Sequence, residues 1–87
     1  MVIERAELAK RASRVRLVLA DCDGVLTDGA VMYGAEGEAF KRFSFRDGMG
    51  VALLRAAGIE VGIVTGESSP IVRARAQKLG ITCLYEG

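Results

Sequence analysis

Two aspartates one residue apart, Asp21 and Asp23, are the side chains of this sequence best suited to chemistry. They follow a largely apolar run, 15–20, that is typical of a buried β-strand, and Gly24 after them lets the backbone turn. Alternate side chains of an extended chain share a face, so the two carboxylates can converge while Cys22 turns away from them. This arrangement predicts metal-assisted phosphoryl transfer through an aspartyl nucleophile.

The two carboxylates are predicted to have different roles. Asp21 is the candidate nucleophile, which forms an acyl phosphate, and Asp23 is the candidate general acid and base, which protonates the leaving oxygen and later activates water. Both roles need Mg²⁺ nearby, and this hard cation takes oxygen ligands while it keeps several waters. Asp21 and Asp23 are therefore also the candidate metal ligands.

Other chemistries fit the same residues less well. Counted from Asp21, the places that an EF-hand loop reserves for an acidic or amide residue, glycine and glutamate hold Val25, Leu26 and Met32, which excludes that kind of calcium loop. A metal site for a nucleotide sugar fits the two aspartates but gives no reason for the continuation over 24–29. Two solvated aspartates that cap a turn are the plain structural alternative.

The elements that must position these side chains begin with a polar helix over about 3–12, ahead of the strand at 15–20. Residues 30–45 then have the pattern of a β-hairpin, with its turn at 34–37. The structural alternative is a simple surface ribbon. A hairpin just after a catalytic strand can also act as a small lid, and an exposed aromatic ribbon invites a partner subunit.

Two helix–strand units follow the hairpin. We expect a helix over 48–57, a strand over 59–64, a second helix, and a third strand over 81–85. The expected caps and stops are Asp47 and Gly58 for the first helix, and Ser68 or Ser69, Pro70 and Gly80 for the second.

Strands separated by helices of this length imply right-handed βαβ units in a parallel sheet, so the predicted fold class is α/β. Ligands of such sheets gather beyond the carboxyl ends of the strands. Thr65 and Gly66 end the second strand and are predicted to meet Asp21 and Asp23 there. A hydroxyl and the N–H groups that begin a helix can bind phosphate oxygens. A threonine that merely ends a strand is the structural alternative.

The composition limits the number of domains, the kinds of partner and the kinds of site that the chain can have. With 87 residues, 51% hydrophobic and 26% charged, the chain has the ordinary composition of at most one soluble domain. A net charge of +1 predicts no nucleic-acid or membrane partner, and we expect a cytoplasmic protein. Cys22 and Cys83 are expected to be small buried hydrophobes. The lack of histidine excludes His-based triads.

Four segments resemble the haloacid dehalogenase (HAD) superfamily, and within it the branch without a large cap domain, typified by 3-deoxy-D-manno-octulosonate 8-phosphate phosphatases. They are DCDGVLTDG at 21–29, FSFRDGMG at 43–50, IVTGESSPIV at 63–72 and KLGITCLYEG at 78–87. The resemblance implies a Rossmann-like, three-layer α/β core with an inserted hairpin flap at about 30–45. It also implies a Mg²⁺-dependent phosphatase that hydrolyses a sugar-acid phosphomonoester through an aspartyl phosphate.

The resemblance assigns further residues. Thr65 matches the phosphate-binding threonine or serine of the superfamily, and the stretch after the hairpin matches residues that contact the sugar acid. The implied substrate-binding residues are Asp23, Ser44, Arg46, Asp47, Gly48, Gly66 and Arg75. A homotetramer, in which the hairpin of a neighbouring subunit closes the site, is implied in the same way.

Two departures from the branch concern the substrate. Ala52 and Glu67 stand where octulosonate phosphatases tend to carry basic residues. Reversing a charge discriminates strongly against an anionic substrate group at that place. The phosphate of a nine-carbon sialic-type acid, or another small phosphomonoester, therefore stays open as the substrate.

A third departure concerns completeness. The superfamily continues with a lysine and a second acidic motif, which neither Lys78 nor Asp28 is expected to replace. We therefore expect 1–87 to be the amino-terminal part of a single HAD-like domain, with three parallel strands, an uncovered sheet edge, weak Mg²⁺ binding and slow turnover. The alternative is a non-catalytic HAD-like accessory or interaction subunit.

Overall fold

A parallel β-sheet organises the chain, and the computed structural model describes residues 2–87 of it. The elements, in chain order, are α1 (Arg5–Ala12), β1 (Leu17–Asp21), β2 (Thr27–Gly34), β3 (Gly37–Phe43), α2 (Phe45–Ala56), β4 (Glu60–Thr65), α3 (Pro70–Leu79) and β5 (Cys83–Glu86). The sheet has the order β1-β4-β5, and both strand pairs are parallel. The predicted α/β class and the three parallel strands are confirmed.

The hydrophobic core lies between this sheet and the helices that connect its strands. α2 packs on β4 and against α3, so the two helices cover the same face of the sheet. The inward side chains come from both layers, and Ile63 and Val72 are fully buried among them. The core residues are Cys22, Val51, Val61, Ile63, Val72, Ala76 and Ile81, with Leu26, Phe43, Leu54, Leu79 and Leu84 packed against them.

The other face of the sheet is open over the described residues. Leu17 and Leu19 of β1 alternate with the inward positions and are 43% and 51% exposed. Val64 and Tyr85, paired in register on β4 and β5, are 42% and 56% exposed. Within residues 2–87, β1 and β5 each pair only with β4. The described helices include none long and apolar enough to cross a membrane.

The predicted hairpin is present, with Ala35 and Glu36 at its turn, but it begins earlier than the aromatic pattern indicates. β2 and β3 pair from Thr27 opposite Phe43 to Gly34 opposite Gly37. β2 thus begins at Thr27, inside the 21–29 segment, rather than at Ala30. The hairpin therefore meets the carboxyl end of β1.

Helix boundaries follow the predicted caps with one exception. Ser69 caps α3 by accepting a hydrogen bond from the Val72 N–H, and Gly80 ends it with a left-handed φ of +71°. The prediction that Asp47 caps the other helix is wrong. Ser44 is its N-cap and accepts from the Arg46 N–H, so α2 begins three residues earlier and Asp47 lies in its first turn. Asp47 can still interact favourably with the helix dipole there.

The remaining boundaries differ by one to two residues from the pattern. β1 and β4 extend one residue further, so that Asp21 and Thr65 are the last residues of their strands. β5 starts at Cys83 and not at Ile81. The reason is that the Ile81 N–H donates a hydrogen bond to the Ala76 carbonyl and so belongs to the cap of α3. α1 starts at Arg5 and buries none of its side chains.

Candidate active site

The turn after β1 is built around the backbone of Cys22. Its carbonyl accepts hydrogen bonds from the N–H groups of Val25, Leu26 and Thr27, at 2.8–3.2 Å. Its side chain is fully buried, as predicted, and burial raises the pKa of the thiol. With this residue anchored inward, the flanking carboxylates of Asp21 and Asp23 both face solvent.

Asp21 ends its strand with one oxygen already engaged. Its Oδ1 accepts a hydrogen bond of 2.7 Å from the Cys22 N–H, which orients the carboxylate. Such a bond leaves Oδ2 as the atom available for attack or metal binding. This geometry suits the nucleophile that the sequence predicts.

Asp23 has a partner that the motif analysis missed. The ammonium of Lys41 lies 2.7 Å from Asp23 Oδ1 and 3.2 Å from Glu38 Oε1. The Lys41 side chain is 1% exposed, against 44% for Asp23. The hydrogen bond to Asp23 is the main reason why the pKa of Lys41 is raised. The sequence signal was the place of Lys41 on the inward face of β3, two residues before Phe43.

Thr27 is a second residue that sequence reasoning missed. Its Oγ1 accepts hydrogen bonds from the N–H groups of Gly24 and Gly29, at 3.2 and 3.1 Å, and it is 6% exposed. Both glycines have positive φ, +82° and +84°, which favours glycine at these places. A hydroxyl at the sixth residue after Asp21 therefore holds the motif loop together.

Thr65 lies where the sequence predicts, at the carboxyl end of the strand next to β1. Asp21 is opposite Val64 in the parallel register, so Thr65 is one residue further along. It is 5% exposed, and its carbonyl accepts from the Gly87 N–H at 3.0 Å. Its Oγ1 accepts from the Glu67 N–H at 3.4 Å, while its own proton remains for another acceptor. A side chain at Gly66 would meet open space, which leaves room for a ligand.

A cavity of about 320 Å³ connects the motif loop to the start of α2. Ser44 and Asp47 line it together with residues that follow Asp23, so the structure brings these two predicted substrate residues to the loop. The Asp28–Arg42 ion pair also lines the cavity, and the pKa of Asp28 is lowered by the Ala30 N–H first and by Arg42 second.

The other predicted substrate-binding residues differ in their exposure and in their contacts. Arg46 is exposed, and its guanidinium makes none of the hydrogen bonds found within residues 2–87. Gly48 packs closely on α3, because a Cβ there would lie 3.1 Å from Leu79. Arg75 donates to the Ser44 carbonyl at 3.0 Å and stacks over Phe43 at 5.4 Å. Its contacts tie α3 to the start of α2 and do not include the aspartates.

The carboxylates of Asp21 and Asp23 are chemically suited to bind a magnesium ion. They are hard oxygen donors, and one or two carboxylates with a substrate phosphate and waters can hold Mg²⁺. No cluster of three His, Cys, Asp or Glu side chains that could hold a metal occurs between residues 2 and 87. Because the Lys41 ammonium disfavours a second cation at Asp23 Oδ1, Asp21 is the stronger donor of the pair.

Comparison with curated proteins extends the resemblance. The chain is 42% identical over 81 residues to the 3-deoxy-D-manno-octulosonate 8-phosphate phosphatase of Yersinia pestis, which is 93% of this chain and 43% of that protein. It is 43% identical over 82 residues to the same enzyme of Escherichia coli K12, covering 94% of this chain and 44% of that one. No family model matches. The chain thus spans under half the length of these relatives.

Solved structures agree. The phosphatase of the same name from Moraxella catarrhalis, in complex with magnesium, phosphate and a KDO molecule, superposes with a TM-score of 0.88 at 38% identity, over 97% of this chain and 48% of that one. A HAD-superfamily hydrolase from Legionella pneumophila gives 0.87 at 41% identity, over 94% and 45%. The cobalt-bound Haemophilus influenzae enzyme gives 0.81 at 46% identity, over 84% and 43%. The resemblance read from the four segments is confirmed.

Proposed function

We propose that this chain, homologous to octulosonate phosphatases over most of its length, is part of a Mg²⁺-dependent phosphatase of a sugar-acid phosphomonoester of the 3-deoxy-D-manno-octulosonate 8-phosphate type. The observation that carries the proposal is the placement of three side chains at one end of the sheet. Asp21 ends β1, Asp23 follows it, and Thr65 ends the neighbouring strand β4. The relatives' names supply the substrate class.

The proposed reaction has two steps. An oxygen of Asp21 attacks phosphorus and forms an acyl phosphate, while the ester P–O bond breaks and Asp23 gives its proton to the leaving oxygen. A water molecule then attacks phosphorus and transfers its proton to the Asp23 carboxylate, and the bond between phosphorus and Asp21 breaks. The hydroxyl of Thr65 and the N–H groups that follow it hold the phosphate oxygens during both steps.

Mg²⁺, held by Asp21, would neutralise charge on the phosphate when bound, and the free oxygen of Asp23 is left for the proton of the acid and base steps. The organic part of the substrate would occupy the cavity beside the motif loop. Ser44 and Asp47 line that cavity. We place Arg46, whose guanidinium is free for a bidentate contact, against the carboxylate of the sugar acid, together with Gly48, Gly66 and Arg75 as further candidates.

The same proposal includes the domain, the subunit assembly and the cellular location of the protein. Residues 1–87 form part of a single HAD-like domain with the hairpin as its flap, and the protein is a cytoplasmic homotetramer. The support for assembly is the apolar ribbon on the hairpin. Met32, Tyr33 and Phe40 are 64%, 75% and 64% exposed there, which favours burial against another subunit.

The test is phosphate release from 3-deoxy-D-manno-octulosonate 8-phosphate, measured with and without Mg²⁺ for the chain, for Asp21→Asn and for Glu7→Gln. The Glu7→Gln control makes the same carboxylate-to-amide change on exposed α1. We expect slow, Mg²⁺-dependent turnover in the chain and in Glu7→Gln, a phosphate adduct on Asp21 in acid-quenched samples, and neither in Asp21→Asn. Equal turnover in Asp21→Asn would overturn the nucleophile, and no turnover in any sample would overturn the activity for this chain.

A further inference from the structure

Lys41 has the least exposed side chain of the ion pairs around the candidate site. Its side chain is 1% exposed and lies between the carboxylates of Asp23 and Glu38. Removing an ammonium from water is unfavourable unless close partners replace that water. Packing alone would favour an uncharged side chain at this position. The packing of the Lys41 side chain therefore does not explain why a charged residue occupies this position.

An irregularity in β3 explains how Glu38 reaches the ammonium that Asp23 also contacts. Met32 is opposite Phe40, but the next residue, Tyr33, is opposite Glu38, so Ala39 is an extra residue in β3. In a regular strand Glu38 and Lys41 would point to opposite faces. The bulge shifts the alternation by one residue, and the burial pattern shows it, since Ala39 and Phe40 are both exposed.

The contact also crosses between two elements that are distant in sequence. Lys41 is 18 residues from Asp23 and belongs to the hairpin, while Asp23 belongs to the turn that follows β1. Asp23 Oδ1 accepts the Lys41 hydrogen bond of 2.7 Å, and its Oδ2 accepts none from residues 2–87. The Asp23 carboxylate is thus held at one oxygen only.

We infer that Lys41 is a positioning residue, which holds Asp23 by Oδ1 so that Oδ2 carries the proton in the acid and base steps. The inference rests on the proposed function. As the ester P–O bond breaks, the proton leaves Oδ2 for the leaving oxygen; when water attacks the acyl phosphate on Asp21, a water proton returns to Oδ2. Glu38 holds the other side of the ammonium and keeps Lys41 directed at Asp23.

The first part of the test needs no activity. Nuclear magnetic resonance of the ¹³C,¹⁵N-labelled 87-residue chain observes the Lys41 ammonium and the Asp23 carboxyl carbon directly. We expect Lys41→Met to move the Asp23 carboxyl resonance and Asp23→Asn to move or broaden the Lys41 ammonium signal. Lys10→Met, the same change on exposed α1, should leave the Asp23 resonance in place. An Asp23 resonance unmoved by Lys41→Met, in a chain with an otherwise unchanged spectrum, would overturn the inference.

The second part separates positioning from a merely structural role. Loss of acid assistance slows the departure of a poor leaving group more than that of a good one. We expect Lys41→Met to lower kcat by about tenfold or more for an alkyl phosphate, to lower it less for p-nitrophenyl phosphate, and to leave KM within about twofold. Glu38→Gln, which retains the Lys41–Asp23 contact, should have a smaller effect.

The outcomes distinguish the two proposals. If Lys41→Met slows both substrates equally, or raises KM alone, Lys41 supports the fold and the positioning role is wrong. If the unaltered chain hydrolyses neither substrate, the proposed function fails for this chain. The resonance of Asp23 then still decides whether Lys41 fixes that carboxylate.

Discussion

Gly80 ends α3 with a backbone conformation that favours glycine, and it leaves no room for a Cβ. Its φ is +71°, and a Cβ there would overlap Arg55 Nη1. The guanidinium of Arg55 occupies that space because it donates a hydrogen bond of 3.1 Å to the Leu79 carbonyl at the end of α3. Gly80→Ala should therefore be destabilising for two separate reasons.

The two reasons have similar magnitudes. A left-handed backbone costs an alanine about 1 kcal/mol. Arg55 can move because it is a flexible side chain, but the move breaks its hydrogen bond to Leu79, which contributes about 1 kcal/mol. We expect Gly80→Ala to lower the free energy of unfolding by about 2 kcal/mol, which is roughly 10 °C in Tm for a domain of this size.

Urea and thermal unfolding, followed by circular dichroism, measure this change. Gly50→Ala is the matched control, since Gly50 lies within α2 and a Cβ there meets nothing within 4 Å. That variant should be more stable by up to about 1 kcal/mol, because alanine favours a helix interior. The same glycine-to-alanine change should therefore lower the free energy of unfolding at Gly80 and raise it at Gly50.

A double mutant separates the two contributions of Gly80. In an Arg55→Ala background the hydrogen bond is already lost, so Gly80→Ala should cost only the backbone part, about 1 kcal/mol. A cost that is equal in both backgrounds would show that Arg55 contributes nothing. A Gly80→Ala chain as stable as the unaltered one would refute the assignment of φ and of the cap.

Two other changes test different parts of the fold. Gly62→Ala in the central strand should lower the free energy of unfolding by about 1–3 kcal/mol, since its Cβ would lie 2.7 Å from Leu19 and 2.9 Å from the Cys83 sulfur. Urea unfolding measures this change, and a neutral result would contradict the close approach of Leu19 and Cys83 to Gly62. Asp28→Asn should flatten the acid limb of a pH–stability profile. The pKa of Asp28 is lowered in the folded state, so its contribution is present above the ordinary aspartate value of about 3.9 and is lost as pH falls through the folded pKa. An unchanged acid limb would contradict it.

The sequence predicted the sheet and the ends of its strands because those signals are local. An apolar run followed by an acidic or hydroxyl residue and a glycine marks each carboxyl end, and Asp21 and Thr65 are found there. The start of α2 was mispredicted although a signal was present. Ser44 and Asp47 have the spacing of a capping box, which makes the serine the cap and places the acid at the third helical residue.

Lys41 was missed for a different physical reason. Its contact with Asp23 depends on the pairing register of the hairpin, which shifts between Thr27 and Val31 and again between Met32 and Tyr33. Alternation in the sequence places Lys41 on the same face as Phe43 but does not show such shifts. The bulged residue is Ala39, a residue without any backbone preference for that conformation. Thr27 was missed because its role is to accept hydrogen bonds from two nearby N–H groups, and many threonines near turns could do so.

The hairpin has a different relation to each of the two aspartates. Asp21 belongs to β1, so the sheet and the Cys22 N–H fix its carboxylate without help from the hairpin. Asp23 lies beyond the strand, and its carboxylate is held by Lys41 of β3. The exposed Phe40 is the residue before Lys41 in the same strand. If another subunit covers Phe40 in the proposed assembly, it therefore acts on the strand that positions Asp23, and the acid and base steps should depend on assembly more than the attack by Asp21 does.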